Sequence, residues 1–159
     1  MRRQRVLVVG LSAGFLLMAV HFARAQRLPD TATEVAAAYL EAMEASDLDR
    51  AEALFAGESS VFESGGVEGT WQHYREHHIG AELEEIASFT IAKGEPDEVE
   101  SVDGSMAFVT WPIEYTIELK EGRMIESKGT VTFVFLREEG QYRIRHLHWS
   151  SRRKVTAEG

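Results

Sequence analysis

Hydrophobic and polar residues alternate along much of the second half of the chain, a pattern typical of β-strands that bury one face. The clearest case is the segment 107–119, where apolar side chains occupy every second position. Segments of similar character lie at 83–92, 124–136 and 141–151. Glycine-containing turns, among them the one at Asp103–Gly104, separate the later segments. Consecutive strands joined by short turns predict an antiparallel sheet.

The first half of the chain has helical spacing instead. Thr31 and Glu34 form a capping-box pattern ahead of an apolar stripe, which predicts the start of a first helix. A second helix is predicted at 48–55 and a third at 71–79, with a strand between them at 59–63. We expect Gly80 to end the third helix. This order predicts an α+β fold in which three N-terminal helices pack on a strongly curved, mostly antiparallel sheet. Such a cone has an interior cavity where a ligand can bind.

The N-terminal segment has the three parts of a secretory signal peptide. A cationic start, an uncharged apolar run and a small-x-small cleavage sequence lie, in that order, at 1–5, 6–20 and 23–25. The apolar run is short for a membrane span, which needs about 20 residues, and an uncleaved anchor is the alternative. We therefore expect a signal peptide over 1–25, a domain over 26–151 and a polar tail over 152–159. The mature protein would be periplasmic or secreted, with no membrane contact after cleavage.

The charge of the chain is acidic, with 17 Lys and Arg against 26 Asp and Glu and a formal net charge of −9. Four arginines and no acid lie in residues 1–25, so the remaining chain has 13 basic against 26 acidic residues, a net charge of −13. A field of this sign repels phosphate groups, and we expect no nucleic-acid partner. The absence of cysteine excludes disulfides and thiolate chemistry.

Histidines are concentrated in two places, because five of the six lie in the third predicted helix and the last predicted strand. On the strand, period-two alternation predicts that His146 and His148 share one face with Tyr142, Ile144 and Ser150. Two imidazoles on one face, about 6.5–7 Å apart at the backbone, suit a shared ligand or a hydrogen-bonded chain.

On the helix, Tyr74 and His78 are four residues apart and share a face, which we expect to point inward. The predicted ligand-binding residues are Tyr39, Trp71, Tyr74, His77, His78, His146 and His148. Of these, Tyr74, His78, His146 and His148 would line the polar end of the cone together with Glu63. The candidate catalytic residues are His148 and Glu63. Glu63 ends an apolar strand, and a carboxylate that faces a cavity has a raised pKa and can act as a base.

Three interpretations of the histidine cluster remain open. In the first, it forms a metal-free pocket in which one imidazole acts as an acid, a base or a hydrogen-bond donor. In the second, His146 and His148 bind a metal together with a helix histidine and either Glu63 or another carboxylate. In the third, the imidazoles are buried and bond to each other, to Ser150 and to backbone. We expect no metal and no cofactor.

The element order and three local motifs resemble the NTF2-like superfamily, and within it the SnoaL-like and DUF4440-type branch, which is related to ketosteroid-isomerase cones. The motifs lie at Phe62–Gly65, Tyr74–His78 and Tyr142–Ser150, and the resemblance covers roughly residues 30–151. It implies a conical α+β fold, a pocket between helices and sheet, and frequent homodimers through the sheet. It does not imply one activity, because members include isomerases, cyclases, dehydratases and binding modules.

The leading functional hypothesis is an exported domain that binds a small, partly apolar molecule in its cone. The second is a cofactor-free acid–base isomerase, cyclase or lyase that uses a pocket histidine or glutamate. The third is a structural homodimerisation module without a ligand. A homodimer is expected in each case, because both faces of the predicted strands carry apolar residues and the face without helices needs a cover.

Overall fold

The computed structural model of the protein describes residues 29–155. The predicted signal peptide and the last residues of the predicted tail lie outside this range. Within it, no helix is both long enough and apolar enough to cross a membrane.

Seven strands form one strongly curved sheet, and all but one of their pairings are antiparallel. The strands, in chain order, are β1 (Phe55–Glu63), β2 (Gly66–Gly69), β3 (Ile86–Lys93), β4 (Asp97–Glu100), β5 (Met106–Leu119), β6 (Met124–Glu138) and β7 (Gln141–Arg153). Their spatial order is β2-β1-β7-β6-β5-β3, and β4 also pairs with β5. The exception is β1, which runs parallel to β7 and therefore brings the N-terminal half of the chain to the middle of the sheet.

The helices lie against one face of this sheet. They are α1 (Ala32–Glu44), α2 (Leu48–Glu52), α3 (Trp71–Tyr74) and α4 (Gly80–Glu84), with a π-helical turn, Arg75–Ile79, between α3 and α4. The predicted capping box at the start of α1 is confirmed, because Thr31 and Glu34 satisfy each other's backbone amides. The predicted α+β cone, with N-terminal helices on a curved and mostly antiparallel sheet, is therefore confirmed.

The second helix is shorter than predicted. It ends at Glu52 rather than Phe55, because the chain there begins to pair with the last strand. The amide of Ile144 donates to the carbonyl of Leu54 at 2.9 Å, and Phe55 lies opposite Ile144. Phe55 then stacks on Trp71 with 4.5 Å between ring centroids. A long-range backbone pairing has replaced the last turn of the predicted helix.

Gly80 does not end the third helix, as predicted, but lies inside it. Its amide bonds to the carbonyl of Arg75, five residues back, which closes the wide π-helical turn. A Cβ at this position would lie 2.5 Å from the same carbonyl oxygen, so glycine is the residue that fits here. The helix continues to Glu84, and the next strand begins at Ile86 rather than at Leu83.

The last strand contains a β-bulge that the period-two prediction did not include. Ile144 lies opposite Phe135 and His146 lies opposite Val134, which leaves Arg145 as an extra residue. After this extra residue, each side chain points to the opposite face of the sheet from the one that strict alternation predicts. Ile144 and Trp149 therefore point to the helices, and the strand continues to Arg153, into the segment predicted as a tail.

The core lies between the helices and the concave face of the sheet. It centres on Tyr39 of α1, whose ring makes edge contacts with three other rings at centroid distances of 5.7–5.9 Å. The alternation predicted for 107–119 is confirmed in the first part of β5, where Val109, Trp111 and Ile113 are buried and Thr110 and Pro112 between them are more exposed.

Strands β6 and β7 approach each other closely at Gly129. A Cβ added there would overlap the carbonyl oxygen of Ser150 and lie 2.8 Å from the Cβ of Ser151. A side chain at this position would therefore force the two strands apart.

We predict that Gly129→Ala lowers the free energy of unfolding by about 2 kcal/mol, a cost typical of overpacking at a position that cannot relax. Urea denaturation measures this change. The matched control is Gly57→Ala in β1, where an added Cβ meets no atom within 4 Å and stability should be almost unchanged. Equal effects of the two substitutions would contradict the steric role of Gly129.

Candidate functional site

A cavity of about 50 Å³ lies between the helices and the concave face of the sheet. It is lined by residues from every helical segment except α2 and from β1, β3, β5 and β7. These residues are Tyr39, Met43, Glu63, Tyr74, Ile79, Glu82, Leu83, Ile86, Phe89, Tyr115, Ile117 and Trp149. Most of the lining is apolar or aromatic, which leaves a small number of polar groups to orient a ligand.

The central polar contact is between Glu63, at the end of β1, and Tyr74, at the end of α3. The Tyr74 hydroxyl donates to Oε2 of Glu63 at 2.5 Å. Burial raises the pKa of Glu63, and the hydrogen bond from Tyr74 opposes part of that rise. Glu63 is thus a desolvated carboxylate with one strong donor, which is the environment of a proton acceptor.

The hydroxyl of Tyr39 provides a second polar group in the cavity. Tyr39 is 1% exposed, and its hydroxyl forms no hydrogen bond with any residue of the range 29–155. Burial raises the pKa of Tyr39, and the nearby charge of Glu63 raises it further. The group therefore stays protonated and remains available to a ligand.

His78 lies beside the cavity between two carboxylates. Its Nδ1 is 2.9 Å from Oε2 of Glu68, and its Nε2 is 3.1 Å from Oε1 of Glu82. The hydrogen bond with Glu68 is the main reason that the pKa of His78 is raised. Glu82 lines the cavity itself, whereas His78 contacts it through the ring of Tyr74, with 5.2 Å between centroids.

The prediction that His146 and His148 face the cavity is wrong. The bulge at Arg145 turns both side chains to the convex face of the sheet, where Nδ1 of His146 is 2.8 Å from Oγ of Ser60. Burial lowers the pKa of His146, with smaller contributions from the neighbouring charges of His148 and Arg145. His148 lies beside Phe62 on the same face.

Two predicted residues of the third helix also lie elsewhere. His77 is exposed and packs against His73, with 4.5 Å between ring centroids, because the π-helical turn directs it to solvent. Trp71 is 2% exposed, but it packs among aromatic rings of the core and does not line the cavity. The structure therefore brings Tyr39, Glu63 and Tyr74 together at the cavity. Trp71 contacts the rings of both tyrosines without lining the cavity. His77, His146 and His148 lie away from it.

This separation removes the geometric basis of the histidine–metal interpretation. His146 and His148 lie on one side of the sheet, and Glu63 lies on the other. Within residues 29–155, no group of three or more His, Asp or Glu side chains is placed to hold a metal ion.

Sequence reasoning missed several cavity residues, notably Trp149, Tyr115 and Glu82. A signal for Trp149 was present, because the apolar positions of β7 step by two from Tyr142 to Ile144 and then by three to Leu147. A three-residue step in a two-residue alternation indicates a bulge. Nothing in the local pattern distinguishes Glu82 from the other acids of its segment.

Helical segments on a curved sheet, with a cavity enclosed at their junction, define the NTF2-like class of α+β cones. Residues 33–153 match the family model of the SnoaL-like domain. The chain belongs to this family. No curated protein matches it.

Solved structures with the same fold have low sequence identity. An NTF2-like superfamily protein from Salmonella enterica has a TM-score of 0.68 and 22% identity, over 80% of this chain and 93% of that one. A hexachlorocyclohexane dehydrochlorinase from Novosphingobium barchaimii has a TM-score of 0.66 and 11% identity, over 80% and 88%. An NTF2-like protein from Pseudomonas putida has a TM-score of 0.60 and 15% identity, over 79% and 86%. These similarities show the fold alone.

We predict that Glu63→Gln is more stable than the wild type at neutral pH and that this gain disappears as the pH falls. A raised pKa means that protonated Glu63 is favoured by folding, so its contribution is complete at low pH and is lost as the pH rises through the folded-state pKa. Glutamine cannot ionise and avoids that loss. Chemical denaturation across the range of about pH 4 to 8 measures the difference.

The matched control is Glu58→Gln, at an exposed position of the same strand. It should show no gain in stability that grows with pH. A Glu63→Gln protein whose stability relative to the wild type falls with rising pH would contradict the desolvated state of Glu63.

Proposed function

We propose that this chain binds a small, partly apolar molecule in the cavity beneath its helices. The observation that carries the proposal is an apolar and aromatic cavity in which the desolvated Glu63 carboxylate has a single hydrogen-bond donor, Tyr74. A carboxylate in such surroundings costs folding free energy, and a binding site is a physical reason to keep it there.

The size of the cavity limits what can enter it. About 50 Å³ holds only a few water-sized groups, so the ligand, or the part of it that enters, contains few heavy atoms. Leu83 and Ile79, which line the side near the π-helical turn, are 8% and 7% exposed.

Acid–base catalysis is the second candidate, and the pairing of Glu63 with Tyr74 favours it. Glu63 would accept a proton from a ligand carbon or oxygen, and the hydroxyl of Tyr39 would donate a hydrogen bond to an oxygen of the ligand. The Novosphingobium neighbour is named as a dehydrochlorinase, so the same fold supports an elimination reaction in that protein. The catalytic role that the sequence pattern predicted for His148 does not fit the position of this residue on the convex face.

We predict that Leu83→Trp fills the cavity and weakens ligand binding about tenfold or more. The measurement is a screen of small neutral and charged compounds by amide chemical-shift perturbation, with hits defined by shifts around Tyr39 and Trp149. Ala81→Trp is the matched control, because Ala81 is exposed on the same helical segment and does not line the cavity.

The same experiment in deuterated water separates binding from catalysis. A substrate would lose the signal of its acidic C–H proton with the wild type and about a hundredfold more slowly with Glu63→Gln. Hits that map to the convex face, or that survive Leu83→Trp unchanged, would contradict the cavity as the binding site.

We also propose that the domain acts outside the cytoplasm and forms a homodimer through the convex face of the sheet. This face exposes Phe108 and Met106 next to Val134. Farther along the same face, Glu114 lies opposite Lys128. A surface that combines an apolar strip with both signs of charge is complementary to a second copy of itself about a twofold axis.

We predict that Phe108→Asp shifts the protein from dimer to monomer, because it places a charge in the apolar strip. Sedimentation velocity at about micromolar concentration measures the change. Val102→Asp is the control, since Val102 is fully exposed in the turn before β5. A wild-type protein that is already monomeric would contradict the homodimer.

A further inference from the structure

We propose that the cavity selects a small organic cation, such as an alkylammonium, over neutral or anionic molecules of the same shape. The inference rests on the proposed binding function and adds to it the charge of the ligand. Two features of the described residues carry it: the aromatic lining and the sign of the charges around the cavity.

Five aromatic rings line the cavity and come from five different elements. They are Tyr39, Tyr74, Phe89, Tyr115 and Trp149. The last three form a triangle, with centroid distances of 5.7 Å for Phe89–Tyr115, 5.7 Å for Tyr115–Trp149 and 6.5 Å for Phe89–Trp149. Aromatic faces and edges around a small space attract a desolvated cation through the ring quadrupole, and tryptophan does so most strongly.

The ionisable groups that line the cavity are acidic. Glu63 and Glu82 lie in its wall, and none of the lining residues is a lysine, an arginine or a histidine. Among the described residues, His78 is the basic side chain in contact with this wall. It already lies between Glu68 and Glu82. Three acidic side chains, Glu63, Glu68 and Glu82, outnumber the single imidazole of His78 in this region, which favours cations over anions.

A neutral ligand without an O–H or N–H group directed at Glu63 would leave the carboxylate with the same single donor that it has now, Tyr74. A cation would add a favourable interaction in a desolvated site, where the attraction between opposite charges is strongest. A quaternary ammonium has no N–H group and needs no hydrogen-bond acceptor, so the charge of the carboxylate alone attracts it. The unbonded hydroxyl of Tyr39 can serve a polar group on the same ligand.

The test compares choline, of which the trimethylammonium end is the part that would enter the cavity, with 3,3-dimethyl-1-butanol, the neutral isostere in which carbon replaces the ammonium nitrogen. Isothermal titration calorimetry on the folded chain measures both affinities. We expect choline to bind about tenfold more tightly than its isostere. Glu63→Gln should remove about that factor for choline and leave the isostere within about twofold. Glu58→Gln, on the same strand outside the cavity, should change neither affinity.

Two results would overturn the cation preference. Equal or tighter binding of the isostere, with no effect of Glu63→Gln, would refute it while leaving the cavity as a binding site. Binding of neither compound at about millimolar concentration would also refute it. The broader binding function is then judged separately by the compound screen with Leu83→Trp. Choline binding that survives Glu63→Gln unchanged would place the cation on another part of the acidic surface and would equally refute the inference.

Discussion

The extra residue that Arg145 adds to β7 determines the chemistry of the cavity. Because side chains alternate along a strand, one inserted residue exchanges the two faces for every position that follows. Trp149 therefore enters the cavity, and His146 and His148 face away from it. Pairing with strands on both sides holds the bulge in place, since β7 lies between β1 and β6 in the sheet.

The cavity combines groups whose requirements conflict. An apolar, aromatic wall favours burial, whereas Glu63 loses hydration there and regains only one hydrogen bond from Tyr74. The parallel pairing of β1 with β7 makes this placement unavoidable, because Glu63 lies opposite Trp149 and takes the same face. Stability alone does not explain a carboxylate at this point, and the small ligand that we propose would interact with its charge.

Much of the fold could be predicted from local patterns. The capping box at Thr31, the alternation of β5 and the turn at Asp103–Gly104 each depend on residues a few positions apart, and the structure has all three. Errors occurred where distant pairing overrides local preference. Phe55 leaves its predicted helix to pair with Ile144, and Gly80 closes a π-helical turn instead of ending a helix. In the site, Tyr39, Glu63 and Tyr74 could be named in advance, whereas Glu82 could not, because no local pattern separates it from neighbouring acids.

By itself the sequence determined the class of fold, the acidic charge and the absence of thiol chemistry, because composition and short-range periodicity are sufficient for those properties. Only the tertiary structure decided which residues share the cavity. The facing of β7 depends on its register with two other strands, and the environment of Glu63 depends on rings that lie far apart in the chain. The local spacing of residues predicts neither the facing of β7 nor the environment of Glu63. A register shift of one residue changes the face of every side chain while leaving the composition of the strand unchanged.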